Sequence, residues 1–351
     1  MLPRSWNPSI ARPRPQSLHS TLSPWHSVDT LHDSSIPAFR REAFNPSLPI
    51  LLPRGHFRSL PALQKWFHHS PTHPPTSTLA HAYLTPFHAA VVPLELTRLS
   101  GASAVNTPQS TCTFHRADAP LGLFLAWAKS ADAQTPDRLY LAQASISALP
   151  AGMRDDLPTP NVVCAAGKGD VYDANVWVGV PPTYTPLHRD PNPNLFVQLA
   201  GQKIVRLLGP EAGHRVFADV QAALGRSGSE SFRGEEMMSG EEKKLLEALV
   251  WGTESEAEGA VSGGYEACLE RGDGLFIPQG WWHSIRGVGE GITGSVSGRL
   301  VFWPLLAKLL TFKPLGQLVV PLMVSFGSSS LPLGSTFRHR CRQNINMFLI
   351  R

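Results

Sequence analysis

Val171-Tyr-Asp-Ala-Asn-Val-Trp-Val-Gly-Val180 alternates apolar and polar side chains or runs apolar, the pattern of a strand with one or both faces buried. A series follows it. Thr185-Pro-Leu-His-Arg-Asp190 comes next, then Leu195-Phe-Val-Gln-Leu199 and Lys203-Ile-Val-Arg-Leu-Leu208 on either side of Ala200-Gly201-Gln202, which reads as a β-hairpin. Glu241-Glu-Lys-Lys-Leu-Leu-Glu-Ala-Leu-Val-Trp251 then predicts a helix inserted between strands. Strands resume at Tyr265-Glu-Ala-Cys-Leu269, Leu275-Phe-Ile277, Trp281-Trp-His-Ser-Ile285 and Gly294-Ser-Val-Ser297, with a turn at Arg271-Gly-Asp-Gly274. Short strands with Gly and Pro turns at this spacing predict a sandwich or jelly roll.

Composition agrees with that reading. The 351 residues include 32 Pro and 29 Gly, too many backbone punctuators for a long-helix bundle or coiled coil. Only 17% of residues are charged while 42% are hydrophobic, enough apolar mass for a core. Pro concentrates in residues 1–120 and Gly in residues 161–300, so the chain divides into regions of different character. Residues 1–45 read as a disordered lead and 46–130 as a support region of short helices, such as the one suggested by Pro61-Ala-Leu-Gln-Lys-Trp-Phe67. Residues 131–303 form the strand-rich domain and 304–351 a divergent tail.

Several function classes recede on these grounds. The net charge of +4 contains no run of basic residues, so there is no clear nucleic-acid site. Cys112, Cys164, Cys268 and Cys341 are scattered without a CxxC pair, which disfavours a disulfide framework or a Cys-based zinc site and fits a reducing cytosol or nucleus. Residues 1–28 carry Arg4, Arg12, Arg14 and six Ser without an acid, the composition of a mitochondrial transit segment, but five Pro would break its helix. The apolar stretch from Phe302 to Phe326 is interrupted by Lys308, Lys313 and three Pro, so no membrane span is expected. His68, His69 and His73 lie in Ser/Pro/Thr-rich sequence without a carboxylate or thiol nearby and read as a solvated loop.

The chemistry lies in the strands. His188 and Asp190 sit at i and i+2 on an extended segment, so both side chains face the same way. Alone, such a pair is a weak signal. His283, on a second predicted strand after the Gly-Asp-Gly turn, adds a third donor that a jelly roll can bring opposite the first two. Two imidazoles and one carboxylate make the facial triad of non-haem Fe(II), which leaves three coordination positions open. Trp177, Trp281 and Trp282 are either groove-lining aromatics or barrel core.

Tyr140-Leu-Ala-Gln143, Thr185-Pro-Leu-His-Arg-Asp190, Asn194, Lys203 and Gly272-Asp-Gly-Leu-Phe-Ile-Pro278 through Trp282-His283 resemble the Jumonji-C oxygenases. The likeness is to the small hydroxylase-like subgroup related to the factor-inhibiting-HIF asparaginyl hydroxylase, and it spans about residues 130–297. It implies a mainly β fold, a double-stranded β-helix of the cupin-like jelly-roll type with N-terminal and inserted helices. It also implies that His188, Asp190 and His283 bind Fe(II), that Lys203 pairs with the distal carboxylate of the cosubstrate 2-oxoglutarate, and that Tyr140 and Thr185 donate hydroxyls to it. Asn194 would line the same pocket. Ser297 is implied there less firmly, because Gly298-Arg-Leu300 intervenes before the aromatic Val301-Phe-Trp303 that the family places directly after it. A dianion entering a barrel needs one cation and a few donors, since an unpaired buried charge is costly.

The activity so implied is that of a dioxygenase converting 2-oxoglutarate and O2 to succinate and CO2 while hydroxylating a protein side chain. Two alternatives stand beside it: a histone lysine demethylase of the same family, and a non-catalytic cupin scaffold. A C-terminal helical segment of the kind used for dimerisation is not visible after Pro304, which leaves the oligomeric state open.

Overall fold

The computed structural model describes residues 25–71, 75–100, 111–166, 171–225, 240–252 and 263–300. Its first half contains β1 (Trp25–Ser27), α1 (Ile36–Phe39), β2 (Ile50–Leu51), α2 (Pro61–Lys65), β3 (Phe67–Ser70), β4 (Thr76–Leu79), α3 (His81–Leu84), β5 (Val91–Ser100), β6 (Thr111–Pro120), α4 (Leu121–Ala128), β7 (Asp137–Ser145), α5 (Ala151–Asp155) and α6 (Asn161–Ala166). Then come β8 (Val171–Gly179), β9 (Thr183–Arg189), β10 (Asn194–Ala200), β11 (Gln202–Leu208), α7 (Pro210–Ala223), α8 (Gly240–Trp251), β12 (Gly264–Leu269), β13 (Gly274–Ile277), β14 (Trp282–Val288) and β15 (Thr293–Leu300).

Strands β8 to β15 are dealt between two antiparallel sheets. One runs β13-β10-β15-β8 and the other β12-β11-β14-β9. Each step along the chain changes sheet except β11 to β12, where α7 and α8 are inserted. This is the double-stranded β-helix that the sequence led us to expect. The first sheet is extended by β2 beside β13 and by β7, β5 and β6 beyond β8; the second gains β1 beside β12.

Three local expectations need correction. Ala200-Gly201-Gln202 is not a hairpin turn: β10 pairs with β13 and β15, whereas β11 pairs with β12 and β14. The chain crosses there from one sheet to the other, through Gly201 at φ +61°. A Cβ on Gly201 would lie 2.6 Å from the Ile292 carbonyl oxygen, so the corner needs glycine for space as well as for conformation. Alternation and a glycine cannot tell a hairpin from a corner, because both place two strands around a tight bend.

Residues 46–130 carry short helices but also the β3–β4 hairpin and the ten-residue strands β5 and β6. In β5, Val92 and Leu94 are buried on one face while Pro93 and Glu95 are more open, an alternation of period two. Pro93 hides that pattern. It lies where the ladder to β7, which starts at Leu94↔Leu141, has already ended. His68 and His69 sit on β3 and are exposed; His73 falls outside the described residues. The disordered lead expected over residues 1–45 is corrected for residues 25–45, which carry β1 and α1 and bury Leu31, Phe39 and Ala43, because a few apolar anchors suffice to dock a Pro- and Ser-containing segment on the core. Residues 1–24 and 301–351 fall outside the described residues.

Between the sheets, Phe196, Val205, Leu207, Leu275, Ile277 and Trp281 form the inner core. The outer face of the larger sheet is covered by the N-terminal helices, with Phe39 edge-on to Phe276 at 5.0 Å between centroids. The outer face of the smaller sheet is covered by α7 and α8 through Leu187, Leu208, Trp282, Val216, Val220, Leu246 and Val250. All seven residues of β10 are buried because it is covered on both faces. Each such Leu or Phe contributes about 1.5–3 kcal/mol on burial.

Candidate metal and cosubstrate site

β9 and β14 are neighbours, and their register sets His188 directly opposite His283. The ring centroids are 4.2 Å apart, and His283 Nε2 lies 3.8 Å from Asp190 Oδ2. One donor atom from each of His188, Asp190 and His283 falls within 4.8 Å of the others. Each imidazole is oriented by its own strand: His188 Nδ1 donates to the Pro186 carbonyl at 2.8 Å and His283 Nδ1 to the Trp281 carbonyl at 3.3 Å. With Nδ1 as donor, Nε2 of each ring carries the lone pair that a metal requires.

Thr185 and His188 are three residues apart, so simple alternation would point them to opposite faces. A bulge removes the conflict. On β14 only Ser284 separates His283 from Ile285, whereas on β9 both Pro186 and Leu187 separate their partners His188 and Thr185. The extra residue turns Thr185 to the same cavity as His188, and Pro186, lacking an N–H, suits that position.

Asp190 is held from the neighbouring sheet. Asn194 Nδ2 donates to Asp190 Oδ2 at 3.1 Å, and Ser297 Oγ donates to Asn194 Oδ1 at 2.8 Å. Asn194 and Ser297 thus act as a relay that orients the carboxylate, and both also line the cavity. Nothing in the spacing of the two residues points to this bond between them.

Lys203 enters the same cavity from the smaller sheet and is only 2% exposed. Its Nζ donates to Ser295 Oγ at 2.7 Å and to Tyr140 Oη at 3.3 Å, and it lies 5.6 Å from the Phe196 ring centroid. Burial among these groups pushes its pKa down to about 7. Tyr140 is pushed well above the ordinary tyrosine range, first by burial and then by Glu95, with a hydroxyl bond to Thr183 opposing. Gly179 makes room for it: a Cβ there would sit 2.5 Å from Tyr140 Cδ2.

The cavity is therefore lined by Tyr140, Thr185, His188, Asp190, Asn194, Lys203, His283 and Ser297, together with Trp177, Phe196, Ile285 and Ser295. Of the three tryptophans, Trp177 lines it, whereas Trp281 belongs to the inner core and Trp282 packs beneath α7 and α8. Ser295 escaped sequence reasoning. Its signal was present, since it precedes Ser297 by two on a strand and so shares its face.

The sequence pattern of the cupin-like domain matches residues 36–301. The chain belongs to this cupin-like Jumonji-C family. Members of the family are oxygenases that use Fe(II) and 2-oxoglutarate. The Arabidopsis thaliana protein named lysine-specific demethylase JMJ30 is 30% identical over 148 residues, which cover 42% of this chain and 30% of that protein. Lysine-specific demethylase 8 of Danio rerio is 29% identical over 150 residues, 42% of this chain and 32% of its own length. Jumonji C domain-containing protein 5 of Drosophila melanogaster is 26% identical over 150 residues, 42% of this chain and 33% of its own. The matched stretch thus spans about a third of each relative.

The donor set of this family member fits the cofactors. Two imidazole nitrogens and one carboxylate oxygen, with no thiolate among them, suit ferrous iron. A buried lysine that donates to the Tyr140 and Ser295 hydroxyls suits a carboxylate arriving from outside. No helix among the described residues is long and apolar enough to cross a membrane.

Proposed function

We propose that this chain is an Fe(II)- and 2-oxoglutarate-dependent dioxygenase that hydroxylates a side chain of a protein substrate inside the cell. The observation that carries the reading is the convergence of the His188–Asp190–His283 trio and buried Lys203 on one cavity. A non-catalytic scaffold has no use for a buried cation beside three metal donors, because each exacts a desolvation cost.

His188, Asp190 and His283 would hold the metal, with Asn194 and Ser297 fixing the carboxylate. Iron(II) and 2-oxoglutarate, when bound, supply the oxidative chemistry in which the oxo acid and O2 give succinate and CO2 and one oxygen atom enters a substrate C–H bond. Lys203 would neutralise the distal carboxylate, and Tyr140 and Thr185 would direct their hydroxyls to it. Phe196 and Ile285 keep the inner wall apolar, which strengthens those charge-assisted bonds by excluding water. Trp177 offers a ring at the cavity wall for the substrate.

Demethylation of an N-methyl lysine is the second reading, favoured by the names of the relatives from Arabidopsis thaliana and Danio rerio. Both share the same metal site and differ in product. Succinate release from 2-oxoglutarate by iron-loaded protein, against His188→Ala and Lys203→Ala, tests the oxygenase reading; equal background from all three proteins rejects it. Mass spectrometry of treated proteins then separates the gain of one oxygen atom from the loss of a methyl group.

A further inference from the structure

The bulge that turns Thr185 and His188 into one cavity has a support on its outer side. Ser284, fully buried, stands opposite Pro186 and Leu187 and faces away from the barrel interior. Its Oγ donates to the Thr185 carbonyl at 2.8 Å and accepts from Trp251 Nε1 at 2.8 Å. Trp251 is the last residue of α8, in the segment inserted between β11 and β12. Its ring packs against the guanidinium groups of Arg206 and Arg286, each 4.5 Å from its centroid. Those arginines are anchored in turn: Arg206 to Glu266 at 2.7 Å and to the Val250 carbonyl at 2.5 Å, Arg286 to Glu247 at 2.8 Å.

We infer that Trp251 and Ser284 are positioning residues, through which the inserted helix α8 sets the register at which β9 presents Thr185 and His188. Pro186 offers no N–H to β14, so the ladder is weakest where register matters most. A slip of one residue would send His188 to the outer face. The Ser284 hydroxyl grips the Thr185 carbonyl at that point, and the indole N–H, held by the contacts of its ring with two arginines, fixes the direction of the hydroxyl. Groups that orient the ligands of a metal control its affinity. The inference rests on the proposed metal-binding function of His188.

The test is Mn(II) binding to the metal-free full chain, followed by the electron paramagnetic resonance signal of free Mn(II), with melting temperature read in parallel. Trp251→Phe keeps the stacked ring and loses the N–H; Ser284→Ala loses the hydroxyl. Each is expected to weaken Mn(II) binding about 10-fold, and the double variant no more than the stronger single, because the two act in series. Leu246→Ala, a buried contact of α8 outside the relay, is expected to lower the melting temperature and leave Mn(II) affinity unchanged.

Unchanged affinity in Trp251→Phe and Ser284→Ala would overturn the inference, as would an equal loss in Leu246→Ala. Should Ser284→Ala not fold, Trp251→Phe decides alone. Equal binding by wild type and His188→Ala would instead reject the metal site itself, and the inference with it.

Discussion

Lys203 Nζ donates a 2.7 Å hydrogen bond to Ser295 Oγ, and the two residues come from different sheets, β11 and β15. The bond crosses the barrel, so the lysine is aimed by a strand it does not pair with. Ser295 is fully buried, and the ammonium it accepts from has few alternatives. Removing the hydroxyl with Ser295→Ala leaves a charged donor short of a partner, at about 1–3 kcal/mol. We expect the KM for 2-oxoglutarate to rise about 10-fold with little change in kcat at saturation, since under the proposed function the lysine would bind the cosubstrate end remote from the reacting atoms. Steady-state succinate assays check this split.

Lys203→Met is expected to raise stability while abolishing cosubstrate binding. The sign follows from the pKa, about 7 in the folded chain against 10.5 for an ordinary lysine. Between those values the unfolded chain holds a proton that the folded chain has released, so the wild-type protein gains stability as pH rises through that window. The penalty of burying the charge is complete below about pH 7 and relieved toward 10.5. The melting temperature of Lys203→Met should therefore exceed that of wild type most at about pH 6 to 7, and the gap should close at alkaline pH. A variant that melts lower at every pH contradicts this account.

Under the proposed function the same shift would govern ligand binding. A dianionic cosubstrate would pair with protonated Lys203, which the free protein holds only below about pH 7. Above that pH binding must draw in a proton, and affinity for 2-oxoglutarate should fall by up to about tenfold per pH unit. Calorimetric titration in buffers of different ionisation enthalpy should show uptake of close to one proton at about pH 8 and none in Lys203→Met, which would not bind.

Asn194 links the two halves of the metal site, since it donates to Asp190 and accepts from Ser297. Asn194→Ala should free the Asp190 carboxylate to rotate and weaken metal affinity by about 10-fold or more. Ser297→Ala removes only the outer bond and should cost less. Mn(II) titration of the two variants orders them; the opposite order would mean that Ser297 acts on the site by another route.

How far the sequence discloses this arrangement depends on what alternation can encode. Period two places His188 with Asp190, and Ser295 with Ser297, on shared faces, and Gly-rich turns mark the strand ends. It does not encode partners across the barrel. Asn194 reaches Ser297 over 103 positions and Lys203 reaches Ser295 over 92, so both bonds are products of topology. Alternation actively misleads at Thr185, which the Pro186 bulge rotates onto the face of His188. It is silent on whether Gly201 closes a hairpin or turns a corner.

That last distinction can be measured. A two-residue hairpin turn with φ near +60° accepts Asn almost as readily as Gly, because Asn tolerates the left-handed region. Gly201 has φ +61° but also faces the Ile292 carbonyl oxygen, 2.6 Å from where a Cβ would stand, and the Thr293 Cα at 3.0 Å. Any side chain must push the β14–β15 connection away from the β10–β11 corner. Gly201→Asn should therefore be as damaging as Gly201→Ala, each destabilising the fold by about 1–3 kcal/mol in urea unfolding. If Asn restored most of the loss caused by Ala, backbone conformation alone would be at stake and the close contact with Ile292 would not matter.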